Sequence, residues 1–201
     1  MPSHNHDLHG NAPDSAAAAL LVIDMINDLE FEGGDVLLPQ LLPAAERIAA
    51  LKARARKAGI PVIYANDNFG RWRSDFREGV EHCLRDGVRG QPVVEALRPA
   101  EDDYFVLKPK HSAFFATTLD TLLRYLGARR LILTGTTGDL CVLFTASDAF
   151  MRDLHVHVPP DCVVSISPDH NQQALEYMER ALDADLTLST ELDLERLARP
   201  E

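Results

Sequence analysis

A doubly wound α/β fold is the architecture this sequence predicts: a three-layer α/β/α sandwich around a central, mainly parallel, six-stranded sheet. Three observations point there. Short apolar runs such as Leu20–Ile23 and Leu131–Leu133 have the unbroken hydrophobicity of strands covered on both faces. Amphipathic helical stretches alternate with such runs along the chain, the pattern of repeated β-α-β units. The stretch LILTGTTGDLCVLFTASD at Leu131–Asp148 passes from an apolar strand through a turn of small residues into a helix, as a chain does at the carboxyl end of a parallel strand.

Residues 1–17 are polar, then alanine-rich, and are expected to form a mobile tail ahead of a single domain spanning 18–201. His4, His6 and His9 alternate within that tail, a spacing open to metal binding as well as to plain disorder. Leu20–Ile23 is the first expected strand, and Asp24 continues it directly. Pro39–Ala58 reads as the first helix, with Leu42, Ala45, Ile48, Ala49 and Ala55 on one face and Arg47, Lys52, Arg54 and Lys57 on the other. Gly59 closes it, and Pro61–Ala65 is the second strand.

Asn66–Arg98 is the least regular stretch, with Trp72 set among Arg71, Arg73 and Arg77. It reads as a variable cap over the site, either a lid gripping an anionic substrate or a subunit interface. Tyr104–Leu107 is the third strand, Leu119–Leu126 a helix and Arg129–Leu133 the fourth strand. A helix over Cys141–Asp153 and a fifth strand at His155–Val158 follow. Pro168–Ala184 is a helix with proline at its start, where a missing N–H costs nothing. Leu186–Leu188 is expected as a sixth, weaker strand, and Glu191–Arg199 as a short helical tail.

A length of 201 residues fits one such domain, and 46% hydrophobic with 25% charged residues is an ordinary globular balance. The net charge of −11 argues against nucleic acid or an anionic membrane as partner, since both favour a basic surface. No apolar run approaches the ~20 residues of a membrane span. Without a basic region followed by an apolar core at the N-terminus, a cytoplasmic location is expected. Cys83, Cys141 and Cys162 are too few and too scattered for a disulfide framework or a zinc knuckle.

Three chemically distinct residues share one relation to the expected fold. Asp24, Lys108 and Cys141 each lie at or just past the carboxyl end of a strand, and in a doubly wound sheet those ends line one edge, where ligands bind. An acid continuing a buried strand needs a partner. An ammonium beside a thiol lowers its pKa, as do the free N–H groups of a helix start, and a carboxylate can carry the thiol proton to a leaving group. Each residue also has a plainer reading. Asp24 can form a turn, Lys108 can sit in a solvated basic turn, and Cys141 can pack as a small hydrophobe.

Taken together, these motifs resemble the isochorismatase-like cysteine hydrolases, a superfamily that includes nicotinamidases, N-carbamoylsarcosine amidohydrolase and ureidoacrylate hydrolases. The resemblance covers Ala18 to about Asp185 and rests on LLVIDMINDL, VLKPKHSAFFATTLDTLL and LTGTTGDLCVLFTASDA. It implies a catalytic triad of Asp24, Lys108 and Cys141, with Lys108 chosen over Lys110 because it stands four residues before Ser112-Ala113-Phe114. It also implies a non-proline cis peptide at Thr136-Thr137 and an oxyanion hole formed by the Thr137 and Cys141 N–H groups.

Two departures from the family pattern matter. Gly138 stands where relatives usually carry Thr or Ser, and Asp67-Asn68-Phe69 lacks the histidine of the nicotinamidase metal site. The expected function is therefore metal-free and cofactor-free hydrolysis of a C–N bond in a small amide or carbamoyl compound. A nicotinamidase or an isochorismatase-type hydrolase is the alternative within the superfamily. A redox-sensing or ligand-binding domain with a reactive cysteine is the alternative outside it. Phe31, Asn66, Trp72 and Phe114 are candidate pocket-wall residues, with core packing the alternative for the apolar ones. Relatives are commonly dimers or larger, so a homo-oligomer is expected.

Overall fold

The computed structural model describes residues 15–68 and 75–200. The first strand, β1 (Ala18–Ile23), is buried at every position. Its side chains alternate, with Leu20 and Val22 facing one apolar core and Ala19, Leu21 and Ile23 the other. A strand hydrophobic on both faces must be covered on both, and this one lies in the middle of the sheet.

Around it the chain lays down α1 (Gly34–Lys57), β2 (Val62–Asp67), α2 (Phe76–Arg85), α3 (Gln91–Ala96) and β3 (Tyr104–Lys108). There follow α4 (Leu119–Leu126), β4 (Arg130–Thr136), a π-helical turn at Gly138–Val142 and α5 (Leu143–Phe150). β5 (His155–His157), a 3₁₀ turn at Pro160–Cys162, β6 (Val163–Val164), α6 (Pro168–Leu182) and α7 (Leu194–Leu197) complete it. The six-stranded sheet runs β3-β2-β1-β4-β5, with β6 also paired to β4, and every pairing is parallel. One core lies between the sheet and α1, α2, α3 and α7, the other between the sheet and α4, α5 and α6. The expected α/β/α layering is thus observed. No helix of the described residues is long and apolar enough to cross a membrane.

Several expectations need correction. The first helix begins a turn before Pro39, because starting at Gly34 buries Leu37, which is 1% exposed. The described part of the 66–98 stretch is regular rather than an irregular cap. Asp75 caps α2 by accepting from the Arg77 N–H at 2.7 Å, and Phe76, Cys83, Val93 and Val94 join the α1-side core. Trp72, Arg71 and Arg73 lie outside the described residues, as do His4, His6 and His9. The expected tail also reaches too far: Ala16 donates to the Leu126 carbonyl, and Ala17 accepts from Arg129 and Arg130.

The sixth strand is Val163–Val164, not Leu186–Leu188. β5 is so short that it leaves the far half of β4 unpaired, and the chain turns back through Pro160–Cys162 to pair Val163 with Gly135. Near Leu186–Leu188 only a single bridge forms, between His157 and Asp185, and Leu188 is left exposed.

Candidate active site

Asp24, Lys108 and Cys141 meet at the carboxyl edge of the sheet. β1 and β3 each flank β2, and β4 lies on the other side of β1, so Asp24 stands between the other two, next to the Cys141 strand and one strand removed from the Lys108 strand. Gly135 makes the closeness of β1 and β4 possible here. Its φ is 116°, and a side chain would begin 2.0 Å from the Ile23 carbonyl oxygen. Asp24 itself has φ 52°, which turns the chain out of the sheet while its N–H still donates to the Ala65 carbonyl.

Both carboxylate oxygens of Asp24 are held. Oδ1 accepts from the Asp67 N–H at 2.7 Å, and Oδ2 lies 2.7 Å from Lys108 Nζ. Lys108 is fully buried, and its ammonium has two further partners, the Lys110 carbonyl at 3.3 Å and Cys141 Sγ at 3.5 Å. Asp67 Oδ2 stands 4.0 Å away. The three protons of the ammonium therefore point at a carboxylate, a carbonyl and a sulfur.

Burial pushes the Asp24 carboxyl above its ordinary range, against the opposing pull of Lys108, the Cys141 thiol and the Asp67 N–H. Burial also works against the Lys108 ammonium, yet the charges of Asp24, Cys141 and Asp67 carry it above the usual lysine value. The cysteine corrects an expectation. Burial and the Asp24 carboxylate together outweigh Lys108, and the Cys141 thiol is pushed up to about 12. Nor does Cys141 open a helix. It lies within the π-helical turn, where the Leu140 and Val142 N–H groups already donate to the Thr137 carbonyl. Burial and the neighbouring carboxylate thus both favour the protonated sulfur.

A row of residues along α5 and the turn after it ties this turn to the loop after β3. Thr145 Oγ1 donates to the Cys141 carbonyl at 2.6 Å and accepts from the Ala113 N–H at 3.0 Å. Ser112 Oγ donates to Asp148 Oδ2 at 2.5 Å, and Arg152 holds Asp148 Oδ1 at 3.0 Å. Spacings of three and four place 141, 145, 148 and 152 on one face, so thiol and lysine are set by one rigid unit. The Thr136-Thr137 peptide bond is cis.

Sequence reasoning missed Asp67, which ends β2 on the same edge, a signal as good as the one that found Lys108. His111 was also passed over. Its Nδ1 lies 3.8 Å from Cys141 Sγ, with its ring 5.5 Å from that of Phe144.

The pocket candidates fare differently. Phe114 belongs to the core, 4% exposed with the Arg152 guanidinium 4.6 Å above its ring. Asn66 is 3% exposed, and its amide donates to the Ile26 carbonyl at 2.8 Å, holding the loop after β1. Phe31 is exposed in that loop.

The parallel sheet, with a thiol, a carboxylate and an ammonium in contact at its carboxyl edge, defines a doubly wound α/β domain with a candidate site at that edge. The family model of the isochorismatase domain matches residues 18–191, so the chain belongs to the isochorismatase family of hydrolases. The chain is 41% identical over 177 residues to the uncharacterized isochorismatase family protein YaaI of Bacillus subtilis, covering 88% of this chain and 97% of that one. Ureidoacrylate amidohydrolase RutB of Methylorubrum extorquens is 29% identical over 188 residues, covering 80% and 75%. Among solved structures, N-carbamoylsarcosine amidase of Thermoplasma acidophilum superposes with a TM-score of 0.67 at 28% identity, covering 88% and 98%.

Proposed function

We propose that this protein hydrolyses the C–N bond of a small amide or carbamoyl compound through an acyl group held on Cys141. The observation that carries the reading is the contact chain from the thiol to a buried ammonium at 3.5 Å and from that ammonium to a buried carboxylate at 2.7 Å. Asp24 takes the thiol proton as Sγ bonds to the carbonyl carbon, and Lys108 offsets the negative charge that develops on the sulfur. The Thr137 and Cys141 N–H groups receive the carbonyl oxygen as it gains charge. The C–N bond then breaks, and the departing nitrogen takes the proton from Asp24. Water, deprotonated by the same carboxylate, attacks the thioester. The C–S bond breaks, the sulfur regains a proton and the acid leaves.

Two relatives, named as an amidase and an amidohydrolase, support C–N cleavage. The retained Cys141 favours acyl transfer over acid chemistry on a vinyl ether. Burial and the Asp24 carboxylate beside the sulfur disfavour the thiolate that a redox sensor needs at neutral pH. A panel of small amides, ureas and carbamoyl compounds, followed by release of ammonia or amine, tests the reading. Turnover is expected for at least one member and should vanish in Cys141→Ala. Unchanged hydrolysis in that variant would overturn it.

A further inference from the structure

The turn that carries Cys141 is not held by its own helix alone. A side chain on Gly138 would begin 2.1 Å from Asn171 Oδ1 and 2.7 Å from Val163 Cγ1, well inside contact distance, so Asn171 of α6 already fills the space beside the turn. The same Oδ1 accepts from Ser165 Oγ at 3.0 Å, and Ser165 Oγ accepts in turn from the Asp139 N–H at 3.1 Å. Asn171 Nδ2 donates to the Val163 carbonyl at 3.1 Å, which fixes the amide's orientation. Ser165 is 1% exposed, so water does not compete for these bonds. A second tie runs beside the first, from His170 Nδ1 to Asp139 Oδ2 at 3.7 Å.

We propose that Asn171 is a positioning residue for the nucleophile: it occupies the space beside Gly138 and, through Ser165 and the Asp139 N–H, fixes the turn that aims Cys141. Asn171 touches no reacting atom. Its effect is transmitted by packing and by two successive hydrogen bonds. The pair is reciprocal, since Gly138 is the only residue that leaves room for Asn171, and Asn171 is what prevents the bare glycine turn from shifting.

The proposal depends on the reaction above only in taking the sulfur as the reacting atom, and its test therefore reads the sulfur directly. Alkylation of Cys141 by iodoacetamide in the full-length native protein, located by peptide mass, is compared across variants together with kcat, KM and the thermal midpoint. Gly138→Ser should slow alkylation and kcat by about tenfold or more, with KM little changed. In the Asn171→Ala background the same substitution should cost clearly less, because only Val163 Cγ1 then crowds the new side chain. Equal slowing in both backgrounds would overturn the proposal. Should Gly138→Ser fail to fold, Ser165→Ala and Asn171→Ala give a second cycle, in which the double variant should be no slower than either single. Purely additive effects there, or wild-type alkylation in both singles, would contradict the chain. An absence of amide turnover in the wild type would sink the hydrolase reading while the alkylation series still decides this one.

Discussion

Two lysine ammoniums are buried against carboxylates at opposite ends of β3, and their surroundings differ in kind. At the amino end, Lys52 Nζ gives its protons to Asp103 at 2.6 Å, Tyr64 OH at 2.8 Å and the Arg98 carbonyl at 3.1 Å. Asp103 is shared with Arg56 at 2.6 Å and the Ala100 N–H at 2.7 Å, and Tyr64 OH passes its own proton to the Leu97 carbonyl. Every donor there finds an oxygen. At the carboxyl end, Lys108 spends one proton on a sulfur at 3.5 Å and another on a longer carbonyl contact. A saturated cluster fastens the fold, whereas one that includes a soft, weakly accepting thiol has charge stabilisation in reserve for a reaction.

Breaking each cluster should have opposite consequences. Lys108→Met should lower kcat/KM by about 10³-fold or more while the chain still folds, because the carboxylate it abandons can take a proton and stay buried neutral. Steady-state kinetics and circular dichroism separate the two effects. Asp103→Ala should do the reverse. It leaves the Lys52 charge buried beside neutral oxygens, costing on the order of 3 kcal/mol in urea unfolding, with kcat per folded molecule unchanged. Normal turnover in the first variant, or lost turnover without lost stability in the second, would erase the distinction.

Smaller perturbations sharpen it. Ser112→Ala removes the bond to Asp148 that docks the lysine loop on α5, and kcat should fall by about tenfold, some 1–2 kcal/mol, with KM nearly unchanged. Acid has opposite signs at the two ends. Burial holds the folded pKa of Asp24 above the ordinary carboxylate value of 3.8, so protonating it favours the fold. That contribution is fully present below 3.8 and is lost as pH rises through the raised value. The corresponding acid limb of kcat/KM should therefore lie above 3.8, because protonated Asp24 cannot accept the thiol proton. Asp102, held low by Arg56, stabilises the fold above 3.8 and loses that contribution as pH falls through its depressed value. It is mostly exposed, so Asp102→Asn should only slightly flatten the fall of the thermal midpoint in acid.

The strand ends were legible because β1, β3 and β4 are apolar runs that stop abruptly at Asp24, at Lys108 and ahead of the Thr137-Gly138 turn. Parallel topology then places those stops on one edge. What the pattern could not carry was set across the sequence rather than along it. α2 was hidden because its buried Phe76 and Cys83 lie among Arg, Glu and His side chains that face water. The sixth strand was misplaced because Val163–Val164 is defined by the gap that β5 leaves on β4, and no local signal marks a gap. Phe114 looked like a pocket wall only until Arg152, one turn beyond Asp148, was found covering it. The surroundings of Cys141 were hidden for the same reason. Its neighbours in sequence suggest a helix start, but its neighbours in space are a buried carboxylate and an apolar core.

The central claim is that the sulfur rests as a thiol and loses its proton only to Asp24 during attack. Ultraviolet titration of thiolate, taken as the difference between wild type and Cys141→Ser, reads this without any substrate. The account predicts no Cys141 signal up to about pH 9, above the ordinary thiol value of ~8.5. A thiolate step between about pH 5 and 8 would contradict it.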